Sequence, residues 1–401
     1  MPGGSPFKGS WFYFKSWCFL LPLAYFTSFL YMFIPFSGIF TQVKDYHVEE
    51  CTKISGPKDF INCEDFIMSN DTGIAYVTCD PSRTKYNKVM GINNLLPGER
   101  PSNAGIWRVD YASVPASIEK FTVDVQQTNV MSDYHTLGIN VDIHPETGEK
   151  TLVTVNVPLD GIPSVEFFTL DDNSVHLVHK RTVRDPKMYN PNSIHIIKDV
   201  RFRADDGTPS FFFSNDHYFH NRYLKMIENY FFYLSNVGFY NARTGRVEKG
   251  VNGLLFANGV TGTDNVLFIA ETYRRSVKQY KMATTLDSQG MPHIHLDYVN
   301  EAKFNMAVDN LDYNAEKQLL VVAGHPKPLY FLQYIKKKNN DDMVKPPSQV
   351  DIWDVVSGET KTLMQDDGAL FGTSTAGSLD LTNSKLVVSG LYEEGLLVCD
   401  L

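Results

Sequence analysis

Short apolar runs that begin with polar residues recur along most of this sequence. The clearest example starts at Val308, where Asp309 and Asn310 stand side by side before Leu311, and a polar turn separates them from the apolar run 319–322. Runs of this length, bounded by turn residues, are typical of β-strands. Long helical segments do not alternate with them, which disfavours a parallel α/β sheet. The pattern therefore predicts an all-β protein.

Taken alone, the pair at 309–310 would fit an Asx turn or a helix cap equally well. Similar openings recur, however, at intervals of roughly 50 to 75 residues, and repeats of several strands at such a period are typical of propeller blades. Six openings predict a six-bladed β-propeller. The first position of the openings is occupied, in chain order, by Glu64, Leu137, Asn192, Asn258, Asp309 and Ala376.

These first positions suggest a metal site. If each begins the innermost strand of a blade, the six side chains surround one axis. Two carboxylates and two amides would then meet there, with Asn310 beside them. Oxygen ligands of this kind suit a hard cation, calcium above all, and two carboxylates match the charge of one divalent ion.

An uncharged apolar segment, residues 17–36, precedes the predicted propeller. About 20 such residues span the hydrocarbon core of a bilayer as a helix. Lys8 and Lys15 lie before the segment, which favours a cytosolic N-terminus and a propeller that is lumenal or extracellular, in the secretory pathway. No clean small-residue cleavage site follows, so a single-pass signal anchor is favoured over a removed signal peptide. The predicted organisation is a cytosolic tail (1–16), an anchor (17–36), a linker (37–59) and the propeller (60–401).

Composition narrows the classes of partner. The chain of 401 residues carries a formal net charge of −9 without a basic stripe, so nucleic acid is not an expected partner. The cluster 336–338 of three lysines is interpreted as a solvated loop. Residues 222–234 have apolar and aromatic side chains at helical spacing. They predict a helix on one face of the propeller, which packs against the blades, touches a membrane or shapes the entrance of the site.

Four cysteines follow the anchor, an even number in an oxidising compartment. A bond between Cys51 and Cys399 would join the start of the ring to its end. Cys63 and Cys79 flank a turn symmetrically and would face each other across a hairpin, although two buried free thiols fit the sequence equally well. The turn between them contains a glycosylation sequon at Asn70.

Four motifs lie in the same order and at similar spacing as in a known family. They are Ser-Asn-Asp-His-Tyr-Phe at 214–219, Phe-Ala-Asn-Gly at 256–259, Val-Asp-Asn at 308–310 and Leu-Val-Cys-Asp-Leu at 397–401. On the basis of these four motifs, the sequence from about residue 51 onward resembles the paraoxonase/arylesterase family. The resemblance implies a six-bladed β-propeller with two calcium ions in its central tunnel, and it implies hydrolysis of lactones and aryl esters.

The resemblance also implies the residues that hold the two ions. The second ion would take Asp65, the carbonyl of Ile139 and Ser193, where the family usually has an aspartate. Because a neutral serine removes one charge, one calcium ion is expected and the second would bind weakly or not at all. The first ion would be held by Glu64, Asn192, Asn258, Asp309 and Asn310, which all have the residue type of the family.

The resemblance extends to the pocket but breaks down at the proton-transfer residues. It implies the disulfide between Cys51 and Cys399, an aromatic pocket residue at Phe256 and a pocket histidine at His325. The histidine pair that activates water in the family falls on Leu137 and Val157, and neither side chain can move a proton. A hydrolase would therefore need another base, and the candidates are His135, His217 with Asp216, His325 and Glu64.

Two functions follow from these observations. The first is a membrane-anchored, calcium-dependent hydrolase that acts on a small hydrophobic ester or lactone. The second is a propeller that binds a hydrophobic small molecule, or guides a cyclisation, without hydrolysis. Leu137 and Val157 favour the second function because they make the pocket more apolar. Related six-bladed lactonase and synthase propellers share the architecture but match the motifs less well.

Overall fold

The computed structural model describes residues 8–69, 73–124, 130–337 and 344–401. In these ranges the chain forms six antiparallel sheets that are arranged as the blades of a propeller. The first strand of each sheet contacts the first strands of its two neighbours, so the six innermost strands close into a ring around one axis. The predicted all-β, six-bladed propeller is confirmed.

The blades follow one another along the chain, each running from the axis outward. Blade 1 consists of strands Cys63–Ser69, Ile74–Cys79, Gly105–Asp110 and Ser117–Lys120. Blade 2 consists of Thr136–Ile143, Lys150–Asn156, Ser164–Leu170 and His176–Val183, with Thr122–Asp124 added in parallel at its outer edge. Blade 3 consists of Pro191–Ile196, Phe211–Asn215, Ser235–Asn241 and Arg246–Leu254.

The remaining blades complete the ring. Blade 4 consists of Ala257–Gly262, Val266–Glu271, Ser276–Leu286 and Pro292–Lys303, and blade 5 of Ala307–Asn314, Leu319–His325, Ser348–Asp354 and Thr360–Asp366. Blade 6 contains Ser374–Asp380, Lys385–Gly390 and Leu396–Asp400, and its outermost strand is Cys51–Ile54. A separate hairpin pairs Tyr86–Asn87 with Ile92–Asn93, and single 3-10 turns occur at Val130–Ser132, Val200–Phe202 and Thr272–Arg274.

The seam of the ring lies in blade 6, where the first strand of the propeller pairs with its last strand. Cys51 stands opposite Cys399, and the two form a disulfide across a sequence separation of 348 residues. Cys63 and Cys79 also stand opposite each other and are bonded, which decides the alternative that the sequence left open. Asn70 lies outside the described residues.

Each innermost strand carries a β-bulge near its start. In blade 1 the register skips Glu64, and in blade 5 two residues, Asp309 and Asn310, stand opposite one residue of the next strand. The same irregularity occurs at the equivalent position of the other four blades. A bulge releases residues from the hydrogen-bonded ladder and redirects their side chains. In five blades the predicted first position lies in the bulge, whereas in blade 6 the extra residue is Thr375, and the predicted Ala376 pairs with Ser389. The bulges bring side chains toward the axis.

Three helices of eight residues or more are present in the described parts of the chain. Helix α1 is Lys8–Ser37, α2 is Arg222–Phe231 and α3 is Pro328–Lys337. Helix α2 confirms the predicted helix. Helix α3 was not predicted, and it contains Lys336 and Lys337, so the interpretation of the lysine cluster as a loop was wrong at these two residues; Lys338 lies outside the described residues.

Helix α1 begins before the predicted anchor and includes residues 8–16 of the predicted tail. Its segment Leu20–Ser37 has a mean hydropathy of 1.5, is mostly exposed, and is long and apolar enough to cross a membrane. The last turns of α1 lie against α2 and α3. The three helices therefore form a group beside the start of the innermost strands.

Candidate functional site

A cavity of about 530 Å³ opens at the end of the axis where the innermost strands begin. Glu64, Asn192, Asn258 and Asp309, from the bulges of four blades, form its floor, and residues of α1, α2, α3 and the hairpin at 86–93 form its walls and mouth. Of the residues singled out from the sequence, those that line it are Glu64, Leu137, Asn192, His217, Phe256, Asn258, Asp309 and His325.

Polar side chains meet on the floor of this cavity. The Asn258 Nδ2 atom donates to Asp309 Oδ1 at 2.5 Å, and Asn310 Nδ2 donates to Glu64 Oε1 at 3.0 Å. Asn192 lines the same cavity. We call Glu64, Asn192, Asn258, Asp309 and Asn310 the oxygen cage. The structure thus brings together residues that are far apart in the sequence, as the ring of openings predicted.

Four oxygen atoms of the oxygen cage are buried without a hydrogen-bond partner among the described residues. They are Glu64 Oε2, Asn192 Oδ1, Asn258 Oδ1 and Asn310 Oδ1. A buried acceptor without a donor costs about 1–3 kcal/mol. Four such oxygens, beside a second carboxylate, form a donor set that fits a calcium ion.

The electrostatics of the floor also fit a bound cation. Burial raises the pKa of the Glu64 carboxyl to about 7, while Arg83 lowers it and Asp309 raises it. A divalent ion would relieve both the burial of the carboxylates and their mutual repulsion. Among the described residues no group of three or more His, Cys, Asp or Glu side chains is placed to hold a metal ion. The oxygen cage differs from such groups because three of its five members are asparagines.

Glycines allow the innermost strands to approach closely enough to form the oxygen cage. A Cβ atom on Gly259 would lie 2.7 Å from the Asp309 carbonyl oxygen, and one on Gly138 would lie 2.7 Å from that of Asn192. Phe256, just before blade 4, has a φ of +57°, which is unfavourable for an aromatic residue. Local strain of this kind is concentrated at functional sites. The backbone around Asn258 is therefore constrained on both sides: Gly259 packs closely against the strand that carries Asp309, and Phe256 has an unfavourable φ angle.

The residues implied for a second ion are arranged differently. The two Asp65 oxygens accept hydrogen bonds from the backbone N–H groups of Phe66, at 2.9 Å, and Ile139, at 3.2 Å. The Ser193 hydroxyl oxygen accepts one from the Val260 N–H at 3.1 Å. Burial, and then the charge of Glu64, hold the pKa of Asp65 well above its usual range. Each of these side-chain oxygens already accepts one backbone hydrogen bond, unlike the unpaired oxygens of the oxygen cage, so they fit a second cation less well.

His217 is the histidine best placed to act on a ligand. Its Nδ1 atom lies 2.7 Å from Asp216 Oδ1, and its Nε2 atom is buried without a hydrogen-bond partner among the described residues. The ring packs against Phe256 with a centroid distance of 4.6 Å. Asp216 also lies 3.7 Å from the Lys225 ammonium. Burial raises the pKa of the Asp216 carboxyl, but Lys225 and His217 together lower it by more. The pKa therefore lies below its usual range, and the carboxylate stays ionised. A carboxylate on one ring nitrogen leaves the other free for proton transfer.

The other two histidine candidates differ from His217. His325 also lines the cavity and, like His217, has a carboxylate on one ring nitrogen and no partner on the other within the described ranges: Nε2 lies 3.2 Å from Asp309 Oδ2, and Nδ1 is unpaired. It differs from His217 because its carboxylate partner belongs to the oxygen cage and its ring stacks on Phe331 at 4.1 Å. His135 is not among the residues that line the cavity; its Nδ1 atom lies 2.9 Å from Asp80. His135 therefore belongs to a buried hydrogen-bonded pair behind the wall, although it lies close in sequence to the opening of blade 2.

Leu137 and Val157, the apolar residues at the positions of the family's histidine pair, lie in different surroundings. Leu137 lines the cavity, whereas Val157 does not and packs with Leu137 in the core between blades 2 and 3. Contact of Val157 with a ligand stays a prediction.

Some lining residues were not found from the sequence, because they come from the helices and their loops. They are Phe36, Arg222, Lys225, Asn229, Tyr230, Tyr273 and Phe331. The helical spacing at 222–234 predicted a helix there but not which side faces the cavity.

The fold and the site define a six-bladed propeller with an oxygen-lined floor at one end of its axis. A family model described as Arylesterase matches residues 130–401, more than half of the chain, and the chain belongs to that family. The resemblance found in the sequence motifs is thereby confirmed, and the chain is a divergent member of the paraoxonase/arylesterase family.

Individual relatives are distant. Serum paraoxonase/arylesterase 1 of Homo sapiens is 24% identical over 368 residues, which cover 90% of this chain and 91% of that protein. Serum paraoxonase/lactonase 3 of Oryctolagus cuniculus is 24% identical over 239 residues, which cover 58% of this chain and 60% of that protein. Among solved structures, a regucalcin of Agrobacterium tumefaciens, described as a calcium-binding protein, superposes with a TM-score of 0.44 at 9% identity, covering 89% of this chain and 92% of that one.

Proposed function

We propose that this protein is a calcium-dependent hydrolase of lactones or aryl esters, anchored in a membrane by α1 with its propeller on the lumenal or extracellular side. The observation that carries the proposal is the group of four buried, unpaired oxygens on the cavity floor. Membership of the arylesterase family, whose relatives are described as arylesterases and lactonases, supports the reaction class. Glu64, Asn192, Asn258, Asp309 and Asn310 would hold the ion.

A bound calcium ion supplies a Lewis acid that polarises a carbonyl and stabilises negative charge on its oxygen. The protein supplies the rest. His217 Nε2 is free to take a proton from water, and Asp216 fixes the tautomer and orientation of the ring through Nδ1. In this role His217 replaces the histidine pair that is absent at Leu137 and Val157.

The walls of the cavity are suited to a hydrophobic substrate. Phe256 and Tyr273 stack with a centroid distance of 5.9 Å, and Leu137 lies on the wall. Phe36, at the end of α1, stacks on Tyr273 at 4.1 Å. The end of the anchor is therefore part of the cavity wall, so the mouth lies beside the membrane that α1 would enter. Apolar esters and lactones concentrate in such a membrane because burial of apolar surface is favourable.

The alternative function is binding of a hydrophobic small molecule, or guidance of a cyclisation, without hydrolysis. Leu137 favours it, because an apolar side chain occupies the wall position where the family has a proton carrier. The oxygen cage and the Asp216–His217 pair favour the hydrolase, since a passive binding site requires neither a charged floor nor a histidine with a free Nε2 atom.

The deciding experiment measures hydrolysis of a panel of aryl esters and lactones by the full-length chain in phosphatidylcholine nanodiscs. Turnover should disappear with EGTA and return with calcium, and Asn258→Ala should lower kcat/KM at least about 100-fold. Asn300→Ala, an exposed asparagine on the outer strand of blade 4, is the control and should leave turnover unchanged. Calcium binding without any turnover would favour the alternative. Absence of calcium binding would reject the metal site and, with it, the proposed hydrolase.

A further inference from the structure

The charges around the cavity are separated along its axis. The carboxylates that line it, Glu64 and Asp309, lie on the floor, whereas the cations that line it lie on the helices at the mouth. These cations are Arg222 and Lys225 on α2 and Lys336 on α3. The arrangement contrasts with the chain as a whole, which has a formal net charge of −9. A local excess of cations at one opening of an acidic protein favours anionic ligands there.

Arg222 packs at the mouth of the cavity, and no acidic side chain pairs with its positive charge within the described ranges. Its side chain lies against Gly91 of the hairpin 86–93, where a Cβ atom would approach Arg222 Cγ to 2.9 Å. No hydrogen bond or ion pair of Arg222 occurs within the described ranges. The one acidic residue of α2, Glu228, is engaged elsewhere, because its carboxylate accepts the N–H groups of Tyr218 and Phe219.

Lys225 lies one turn further along α2 and is buried. Its ammonium donates to the carbonyl oxygen of Lys88 at 3.1 Å and lies 3.7 Å from Asp216 Oδ1. Residues three positions apart lie on the same face of a helix, about 5–6 Å between Cβ atoms. Asp216 offsets the charge of Lys225, and a divalent ion in the oxygen cage would offset Glu64 and Asp309. The charges that remain are those of Arg222 and Lys336.

We propose that Arg222 forms a subsite for an anionic group, so that the preferred ligand is an ester or lactone whose apolar part also bears a carboxylate or phosphate. The ester or lactone carbonyl would face the floor, and the anionic group would face the mouth. The proposal rests on the proposed function only for the ester or lactone; the anion subsite itself can be tested without turnover. A guanidinium is suited to this task because it binds carboxylate and phosphate through two parallel N–H bonds.

The first test compares two p-nitrophenyl esters on the full-length chain in phosphatidylcholine nanodiscs. One is the neutral butyrate and the other is the glutarate monoester, which ends in a free carboxylate. We expect the glutarate to have the higher kcat/KM, and the glutarate-to-butyrate ratio to fall about tenfold in Arg222→Gln, because a charged hydrogen bond is lost. Arg222→Lys should restore part of the ratio. High salt should lower it in the unchanged chain.

Arg246→Gln is the control, because Arg246 is an exposed arginine on the outer strand of blade 3, far along that blade from the axis. It should leave the ratio unchanged. A ratio that is the same in the unchanged chain and in Arg222→Gln, and that does not respond to salt, overturns the proposal.

A binding test separates failure of the subsite from failure of the hydrolase. Calorimetry with decanoate and with decan-1-ol is done in EGTA, so that no metal on the floor attracts the carboxylate. Decanoate should bind about tenfold more tightly, and Arg222→Gln should remove the difference. Equal binding of the two compounds overturns the subsite even if esters are hydrolysed. The expected difference supports the subsite even if no ester is hydrolysed.

The same chemistry could be supplied by a lipid headgroup instead of a substrate. The ester pair is therefore also measured in nanodiscs that contain phosphatidylglycerol. If Arg222 serves the substrate, the glutarate-to-butyrate ratio at high salt and the rank of the variants remain as in neutral nanodiscs. If the ratio falls to that of Arg222→Gln at every salt concentration, the cation is taken by lipid, and the substrate assignment is overturned.

Discussion

Asn258 Nδ2 lies 2.5 Å from Asp309 Oδ1 and so joins the bulges of two neighbouring blades on the cavity floor. The amide turns its nitrogen to the carboxylate, and its own oxygen is left without a donor. Together with the unpaired oxygens of Glu64, Asn192 and Asn310, this geometry leaves acceptors that only a cation or a proton donor can satisfy.

The full-length chain should bind one calcium ion per molecule, not two. The oxygen cage has free oxygens, whereas those of Asp65 and Ser193 already accept hydrogen bonds from backbone N–H groups. Calorimetry and metal analysis after gel filtration measure the stoichiometry. Ser193→Asp adds the missing charge and should raise the ratio to two, while Ser193→Ala should leave it at one. Two ions on the unchanged chain would contradict this prediction.

Calcium affinity should rise with pH between 6 and 8. Burial raises the pKa of Glu64 to about 7 in the metal-free protein, so the carboxyl is mostly protonated at pH 6 and mostly ionised at pH 8. Calcium must displace the proton, and one displaced proton predicts about tenfold weaker binding at pH 6 than at pH 8. Calorimetry at both values, in two buffers of different ionisation enthalpy, also counts the protons released. Equal affinity at the two pH values would show that Glu64 does not bind the ion.

His217→Gln should lower kcat by about 100- to 10,000-fold, because general-base catalysis contributes on that scale. Asp216→Asn should lower it less, since the histidine loses the carboxylate that orients its ring. Calcium binding should persist in His217→Gln.

The matched control for this pair is His295→Gln. His295 lies 3.1 Å from Asp297 on an exposed strand of blade 4, so it forms a similar pair far from the cavity. Its removal should leave kcat unchanged. Full activity of His217→Gln would assign the base to another group, and His325 would be the next to test.

Removal of the disulfide at the seam should destabilise the protein more than removal of the one in blade 1. The Cys51–Cys399 bond closes 348 residues and the Cys63–Cys79 bond closes 16, and the entropy lost by the unfolded chain grows with loop length. We expect losses of about 5 and about 3 kcal/mol for the two double serine variants. Equilibrium unfolding in urea, followed by circular dichroism, measures both. Equal losses would show that the seam is held by strand pairing alone.

Gly259→Ala should weaken calcium binding at least about tenfold, because its Cβ atom would lie 2.7 Å from the Asp309 carbonyl oxygen and the strands would have to move apart. Gly245→Ala is the control: nothing lies within 4 Å of its Cβ position, and its φ of +65° costs only about 1 kcal/mol of stability. Calcium affinity should not change in the control. Normal affinity in Gly259→Ala would mean that the spacing of the innermost strands is not critical.

The ring of innermost strands could be predicted from the sequence because similar openings are repeated along the chain. Polar residues stand before an apolar run at four of the six predicted first positions, and a closed propeller places equivalent positions together, as at Glu64 and Asp309. The bulges behind this arrangement were not predictable, since they depend on how each innermost strand pairs with the next. Proximity in sequence was misleading for His135, which pairs with Asp80 behind the wall instead of lining the cavity.

The mouth of the cavity was harder to predict than its floor. Helix α3 has no repeated counterpart in the sequence, and the position of Lys336 beside the cavity depends on packing against distant elements. Phe36 belongs by composition to a membrane segment, yet its ring stacks on Tyr273. Such contacts arise between elements that meet only in the folded state, so no local pattern reports them.

The pairing of Cys51–Ile54 with Leu396–Asp400 has a consequence for biosynthesis. During translation the first strand of the ring emerges early, close to the segment that would enter the membrane, and it has no partner until residue 400 leaves the ribosome. Blades 1 to 5 can form in order, but the circle stays open until then. The first strand and its thiol therefore remain unpaired throughout synthesis, and premature termination anywhere before residue 396 would leave an open arc with an unpaired edge.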